Sequence, residues 1–277
     1  MEIGFMQGRL CDRVGGKIQA FPWRDWESEF PLAQALGLSL MEWTLDQERL
    51  HENPLMTAAG QARIRELSAR HGVSILSLTG DCFMQEPFYK VEGTAREALL
   101  ADLCAILDAS EQVGIRYVLM PLVDNGSLQT PQQEADLCNG ILPLHQRLVN
   151  ADMKIVFESD FGPERLAAFI ERLPQDAFGI NYDIGNSASL GFSPIDEISR
   201  YGHRIDNVHV KDRQLHGTTV PLGTGNADFP AAFGALLKVG YTGHFILQTA
   251  RADDNAHAGA IALYRDMTRN WLTQSGS

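Results

Sequence analysis

Short apolar runs recur along the chain at regular intervals. They read EIGFM (2–6), LSLMEW (38–43), VSILSL (73–78), IRYVLM (115–120), MKIVF (153–157), FGINY (178–182), IDNVHV (205–210) and HFILQ (244–248). Each has the length and the apolar or β-branched content of a buried strand. Helical patterns lie between them. The clearest spans about 94–113, where Leu99, Leu103, Ile106, Leu107 and Val113 share a face and Thr94 with Glu97 predicts a capping box. Pro163 and Pro194 suit the first turn of a helix, and Gly72 and Gly114 suit helix ends just before strands. Eight strands, each followed by a helix, predict a single (β/α)8 TIM barrel over residues 1–277. An open doubly wound sheet is the alternative, and no GxGxxG turn follows any strand to support it.

The first βα connection, residues 11–25, is long and carries Gly15-Gly16, so it is expected to lie over the barrel mouth as part of a lid. Composition changes the picture little: 44% hydrophobic and 21% charged residues are ordinary for a soluble domain. A formal net charge of −12 argues against a nucleic-acid partner. No apolar run approaches the ~18 residues that would cross a membrane. The start, MEIGFMQGRL, has no basic stretch followed by an apolar one, so a cytoplasmic location is expected. Cys11, Cys82, Cys104 and Cys138 form no CxxC pair and are expected to be reduced thiols.

In a barrel of this kind chemistry sits at the C-terminal ends of the strands. Those ends offer Gln7 and Arg9, Glu42 and Trp43, Asp81, Glu158, Asp183 and Asn186, His209 with Lys211 and Asp212, then Gln248 and Arg251. Glu158, Asp183 and His209 stand on consecutive strands. Two carboxylates and an imidazole in register suit a divalent cation.

The pieces FESD (157–160), YDIGN (182–186), HVKD (209–212), PLGTGNADF (221–229) and GYTGHFILQ (240–248) resemble the xylose isomerase-like TIM barrels. That superfamily includes sugar isomerases and epimerases, dehydratases and the endonuclease IV group. The resemblance implies that Glu158, Asp183 and His209 are metal ligands, that Glu158 is also a general base, and that Glu164 binds substrate. It implies one divalent ion, with Mn²⁺, Mg²⁺, Co²⁺ and Zn²⁺ all open. Relatives are often dimers or tetramers, so a homo-oligomer is expected.

Two positions depart from the pattern. Gln248 stands where relatives carry a metal-binding glutamate, and Asn186 where many carry histidine. The second departure speaks against endonuclease IV chemistry. An amide oxygen at Gln248 could still ligate a hard cation, but it cannot act as a second base. One-base chemistry remains, with Lys211 and Asp212 as the next catalytic candidates. Arg9 and Arg251, on neighbouring strands and near Lys211, are expected to clamp an anionic group of a small sugar-like substrate. Asn186 is expected beside that substrate. Trp43 is expected to offer it an aromatic face, whereas Trp26 is expected to pack. The expected function is a metal-dependent isomerase or epimerase of a sugar, sugar acid or sugar phosphate. A dehydratase of the same superfamily, or a non-catalytic binding barrel, is the alternative.

Overall fold

The computed structural model describes residues 1–252 and 254–275. Each of the eight expected strands forms: β1 (Ile3–Met6), β2 (Leu40–Leu45), β3 (Ser74–Gly80), β4 (Tyr117–Leu122), β5 (Lys154–Ser159), β6 (Phe178–Asp183), β7 (Ile205–Val210) and β8 (Phe245–Leu247). All pair in parallel, and β1 pairs with both β2 and β8, which closes the sheet into a barrel. The open-sheet alternative is thereby excluded. Between the strands run α1 (Glu29–Ala35), α2 (Ala58–His71), α3 (Asp81–Gln85), α4 (Gly93–Val113), α5 (Pro131–Ile141), α6 (His145–Asn150), α7 (Pro163–Ile170), α8 (Ile184–Leu190), α9 (Pro194–Tyr201) and α10 (Phe229–Lys238). The last helix, α11, spans His257–Ser275.

Local chemistry sets most of the helix ends. Thr57 accepts the Gly60 N–H at the start of α2, and Gly72 and Gly114 close α2 and α4 in the left-handed conformation. Pro163 and Pro194 open α7 and α9 at the first helical position. One expectation fails: α4 begins at Gly93, so Thr94 lies inside the helix and caps nothing.

Strand side chains alternate between the barrel interior and the helix layer. Leu103, Ile106 and Leu107 of α4 are buried against the strands, with Leu99 and Val113 packed at the edge. Phe157, Phe169 and Phe178 tie β5, α7 and β6 together by ring contacts of 5.5 and 6.4 Å. Beyond β7 a short ribbon, Asp212–Arg213 against Thr219–Val220, stands over the mouth. The four cysteines are free thiols. Among the described residues, no helix is long and apolar enough to cross a membrane.

Candidate active site

At the C-terminal end of the barrel, β5, β6 and β7 deliver Glu158, Asp183 and His209 to one point. Their ligand atoms lie within 4.8 Å of one another, and all three residues are buried. His209 Nδ1 is 3.3 Å from Glu158 Oε2 and 3.7 Å from Asp183 Oδ2. The other ring nitrogen, Nε2, is 2.7 Å from Glu42 Oε1. Glu42 is fully buried on β2 and also accepts from Thr79 Oγ1 at 2.5 Å and Asn207 Nδ2 at 2.9 Å. An Nε2–H donated to Glu42 leaves the Nδ1 lone pair facing the two carboxylates. This is the carboxylate–histidine pairing that prepares an imidazole to bind a metal.

The charges support the same reading. Burial alone would raise Glu42 and lower His209, yet each holds the other charged. Glu42 is drawn down to about 2 by His209 and by hydroxyl donors. His209 is raised well above its ordinary value by Glu42, Asp183 and Glu158. A cation between the carboxylates would release the imidazole from that role. The donor set of two carboxylate oxygens and one imidazole nitrogen fits a divalent ion.

Neighbouring amides fix the ligands. Asn181 Nδ2 donates to Glu158 Oε2 at 2.9 Å, while its oxygen accepts from Asn207 Nδ2 at 2.8 Å. Asn186 donates to Glu158 Oε1 at 2.5 Å and accepts from Arg213 Nη1 at 2.9 Å. Arg213 can only donate, so it sets which way the Asn186 amide faces. Asp183 Oδ1 accepts the Asn186 backbone N–H at 2.8 Å and so caps α8. The glycine of YDIGN has a steric reason: a Cβ on Gly185 would come within 2.8 Å of the Lys211 backbone.

A cavity of about 810 Å³ opens above the cluster, walled in part by Asp81, Glu158, Asn186, Lys211, Arg213 and Gln248. Ile18 and Gln19 of the first loop also line it, as expected for a lid segment. Lys211 Nζ lies 3.2 Å from Asp183 Oδ2 and 3.0 Å from Gln248 Oε1. Gln248 Nε2 donates to Gln19 Oε1 at 3.1 Å, and Gln19 Nε2 donates to Asp81 Oδ2 at 2.7 Å. Gln248 is thus near the cluster but engaged by Lys211. Burial, reinforced by Asp46 and Glu158 and opposed by Gln19 and Arg9, pushes the Asp81 carboxyl up to about 7. Asp212 of HVKD serves the loop instead: its buried carboxylate accepts the N–H groups of Gly223, Gly225 and Ala227 at 2.8, 2.9 and 3.1 Å.

Three expectations need correction. Arg9 and Arg251 do lie together, but they bond mainly to backbone. Arg9 bonds the carbonyls of Thr249 and Ile18 at 3.0 and 2.9 Å, and Arg251 bonds those of Gly8 and Cys11. They fasten the first loop to β8 rather than wall the cavity. Gly8 takes part because its φ of +85° turns the chain where a side chain would be strained. Burial and the adjacent Arg251 draw Arg9 down to about 10. Trp43 is 0% exposed and sits among Phe21 and Trp26 with Nε1 donating to Asn53, so it offers no face to a ligand. The cause is strand alternation: Glu42 faces the barrel interior, so Trp43 faces the helix layer. Trp26 packs, as expected. The Glu164 side chain is 84% exposed and lies 3.5 Å from Arg200, away from the cavity.

The residues missed in the sequence are Glu42 as the partner of His209, together with Asn181, Asn207, Gln19 and Arg213. A signal existed for two of them. Asn181 and Asn207 lie two positions before Asp183 and His209, so they share the inward face of their strands.

A family model described as xylose isomerase-like TIM barrel matches residues 30–270. The curated inosose dehydratase of Clostridium tetani (strain Massachusetts / E88) is 24% identical over 181 residues, covering 57% of this chain and 59% of that protein. The chain therefore spans less than two thirds of that relative's length. Among solved structures, the IOLI protein with a zinc atom aligns with a TM-score of 0.77 at 15% identity, over 99% of each chain. A barrel protein from Mycobacterium smegmatis in complex with magnesium aligns with a TM-score of 0.72 at 18% identity, over 100% of this chain and 98% of that one. At these identities the two structures show a shared fold.

Proposed function

The chain belongs to the xylose isomerase-like TIM barrel family, and from that premise we propose that it is a metal-dependent enzyme that dehydrates a small polyhydroxylated ketone. Glu158, Asp183 and His209 would hold one divalent ion. Zinc and magnesium in the two structural neighbours support a divalent ion without choosing one. A bound ion would polarise the substrate carbonyl and make the adjacent C–H more acidic.

The observation that carries the reading is the pairing of one base with one amide. Glu158 is oriented by Asn181 and Asn186 and borders the cavity. Gln248, at the strand-8 position, is an amide engaged by Lys211. Glu158 can remove the proton next to the carbonyl, but an epimerisation that needs a second carboxylate opposite it, on strand 8, finds the amide of Gln248 there instead. The name of the Clostridium tetani relative supports dehydration. Keto–aldo isomerisation is the second reading, because Glu158 alone could carry a proton between adjacent carbons.

The expected anionic substrate loses its main support with Arg9 and Arg251. Asp81, Asp124, Glu158 and Asp160 face Lys211 and Arg213 along the cavity wall. That excess of acids favours a neutral polyol.

The test is a screen of inososes and ketoses with Mn²⁺, Mg²⁺, Co²⁺ or Zn²⁺ in D₂O, followed by NMR. The expected result is deuterium entering next to the carbonyl together with loss of water, both abolished by Glu158→Gln. Epimers formed at rates above dehydration would overturn the assignment.

A further inference from the structure

We propose that Asp81 is the catalytic acid of this dehydration, and that Gln248 and Gln19 are the residues that position it; the inference rests on the function proposed above. A continuous chain of hydrogen bonds leads from the metal cluster to Asp81. It runs from Asp183 Oδ2 to Lys211 Nζ (3.2 Å), to Gln248 Oε1 (3.0 Å), from Gln248 Nε2 to Gln19 Oε1 (3.1 Å), and from Gln19 Nε2 to Asp81 Oδ2 (2.7 Å).

Donor and acceptor chemistry fixes the direction of every link. An ammonium only donates, so the oxygen of Gln248 faces Lys211 and its NH₂ faces Gln19. Arg9 Nη2 also donates to Gln19 Oε1, at 3.4 Å. The Gln19 oxygen is therefore claimed twice, and its NH₂ is left for Asp81. A glutamate at 248 would accept from Lys211 but could not donate to Gln19. The amide that removes a base from strand 8 is thus the residue this chain of bonds requires.

Asp81 stands at the end of β3, buried yet on the wall of the same cavity as Glu158. Among the described residues, Gln19 is the one hydrogen-bond partner of its carboxyl. With Oδ2 accepting that amide, the acid proton belongs on Oδ1. An apparent pKa pushed up to about 7 by burial keeps a useful fraction protonated near neutrality.

The step balances without an oxidant. Glu158 takes the proton from the carbon next to the carbonyl, and the C–H electron pair enters the enediolate. That pair then expels the hydroxyl on the next carbon. The C–O bond breaks, and Asp81 donates its proton to the departing oxygen, which leaves as water. The organic product is an enol, which becomes a diketone. Glu158 ends protonated and Asp81 ionised, and one proton returned through solvent restores both. Gln19 lies on the first loop, so the acid is aligned only when that loop covers the mouth.

The experiment follows exchange and elimination separately, with the full chain, Mn²⁺ and an inosose in D₂O. For Asp81→Asn we expect deuterium exchange within about threefold of wild type and diketone formation lowered by about 100-fold or more. Mn²⁺ affinity, read by calorimetry, should stay within about twofold. Gln19→Leu should show the same split to a smaller degree, and it stands in if Asp81→Asn does not fold. Gln248→Glu should also slow elimination more than exchange. Wild-type elimination by Asp81→Asn would overturn the acid role, as would equal loss of exchange and elimination. A wild type that exchanges no proton of any ketone would instead overturn the proposed function, and the acid role with it.

Discussion

On the β5–β7 side of the mouth, the polar groups bond mainly to other side chains. Glu158 meets Asn181 and Asn186, and His209 meets Glu42. On the β8–β1 side, Arg9 and Arg251 bond mainly to backbone carbonyls, and Glu29 accepts the N–H groups of Gly8 and Leu10. Both sides are buried, charged and at strand ends. A charged side chain held mainly by backbone carbonyls ties chain segments together and acts as a fastener. One satisfied by other side chains in a cavity can exchange a partner for substrate or metal.

The comparison predicts opposite consequences for removing charge on the two sides. The largest effect is expected for Asp183→Ala. It should lower divalent-metal affinity by on the order of 100-fold or more, since even outer partners of ligands carry about 10–100-fold. The fold should persist, with about 1 kcal/mol lost through the α8 cap. Calorimetric titration with Mn²⁺ and a denaturant melt check both halves, and full metal occupancy in the variant would remove Asp183 from the site. Arg251→Ala should do the reverse. Two carbonyls lose a charged donor, so stability should fall by roughly 2–4 kcal/mol, while metal affinity stays within about twofold. A stable variant with weakened substrate binding would restore the anion-clamp role. Glu42→Gln lies between them: the hydrogen bond to His209 can survive but the charge does not. Metal affinity is expected to fall about tenfold, and stability by roughly 1–3 kcal/mol, because the amide turns a donor toward Asn207 Nδ2.

The barrel was legible because its signal is repeated. Eight apolar runs separated by helical periods leave little room for another fold, and small errors at strand ends did not alter the order. The cluster of Glu158, Asp183 and His209 was legible because strand-end placement and motif spacing agree. The remainder required knowing which way each side chain faces and what it touches. Trp43 and Glu42 are adjacent in sequence, and strand alternation sends one to the helix layer and the other to His209. Arg9 and Arg251 were rightly placed side by side. Their carbonyl partners depend on the path of a loop with no regular period. Gln19 lies in that same loop, and its links to Asp81 and Gln248 span 62 and 229 residues of chain. No local pattern encodes such a contact.

Asp81 and Glu29 carry the comparison to its finest point, because burial pushes both carboxyls up to about 7. The unshifted values are 3.8 and 4.5. Between those values and about 7, the folded protein holds protons that the unfolded chain has released. Stability linked to these groups is therefore complete below the unfolded values, falls as pH rises, and is lost above about 7. Each group contributes a slope of at most about 1.4 kcal/mol per pH unit. Wild type should thus have a lower denaturation midpoint at pH 8 than at pH 5. Substitution separates the two acids. Asp81 has one neutral partner, so Asp81→Asn removes a buried charge and leaves little unsatisfied. It should flatten the pH dependence and stabilise the protein at pH 8 by on the order of 1 kcal/mol, a gain bought with activity. Glu29 accepts from Gly8 at 2.8 and 2.9 Å and from Leu10 at 3.0 Å. An amide there would turn a donor toward one of those N–H groups. Glu29→Gln should therefore also flatten the pH dependence, but destabilise the protein at both pH values by roughly 1–3 kcal/mol. Denaturant midpoints of the three proteins at pH 5 and pH 8 decide the matter. Equal destabilisation by the two substitutions would make Asp81 another fastener and erase the distinction between the two sides.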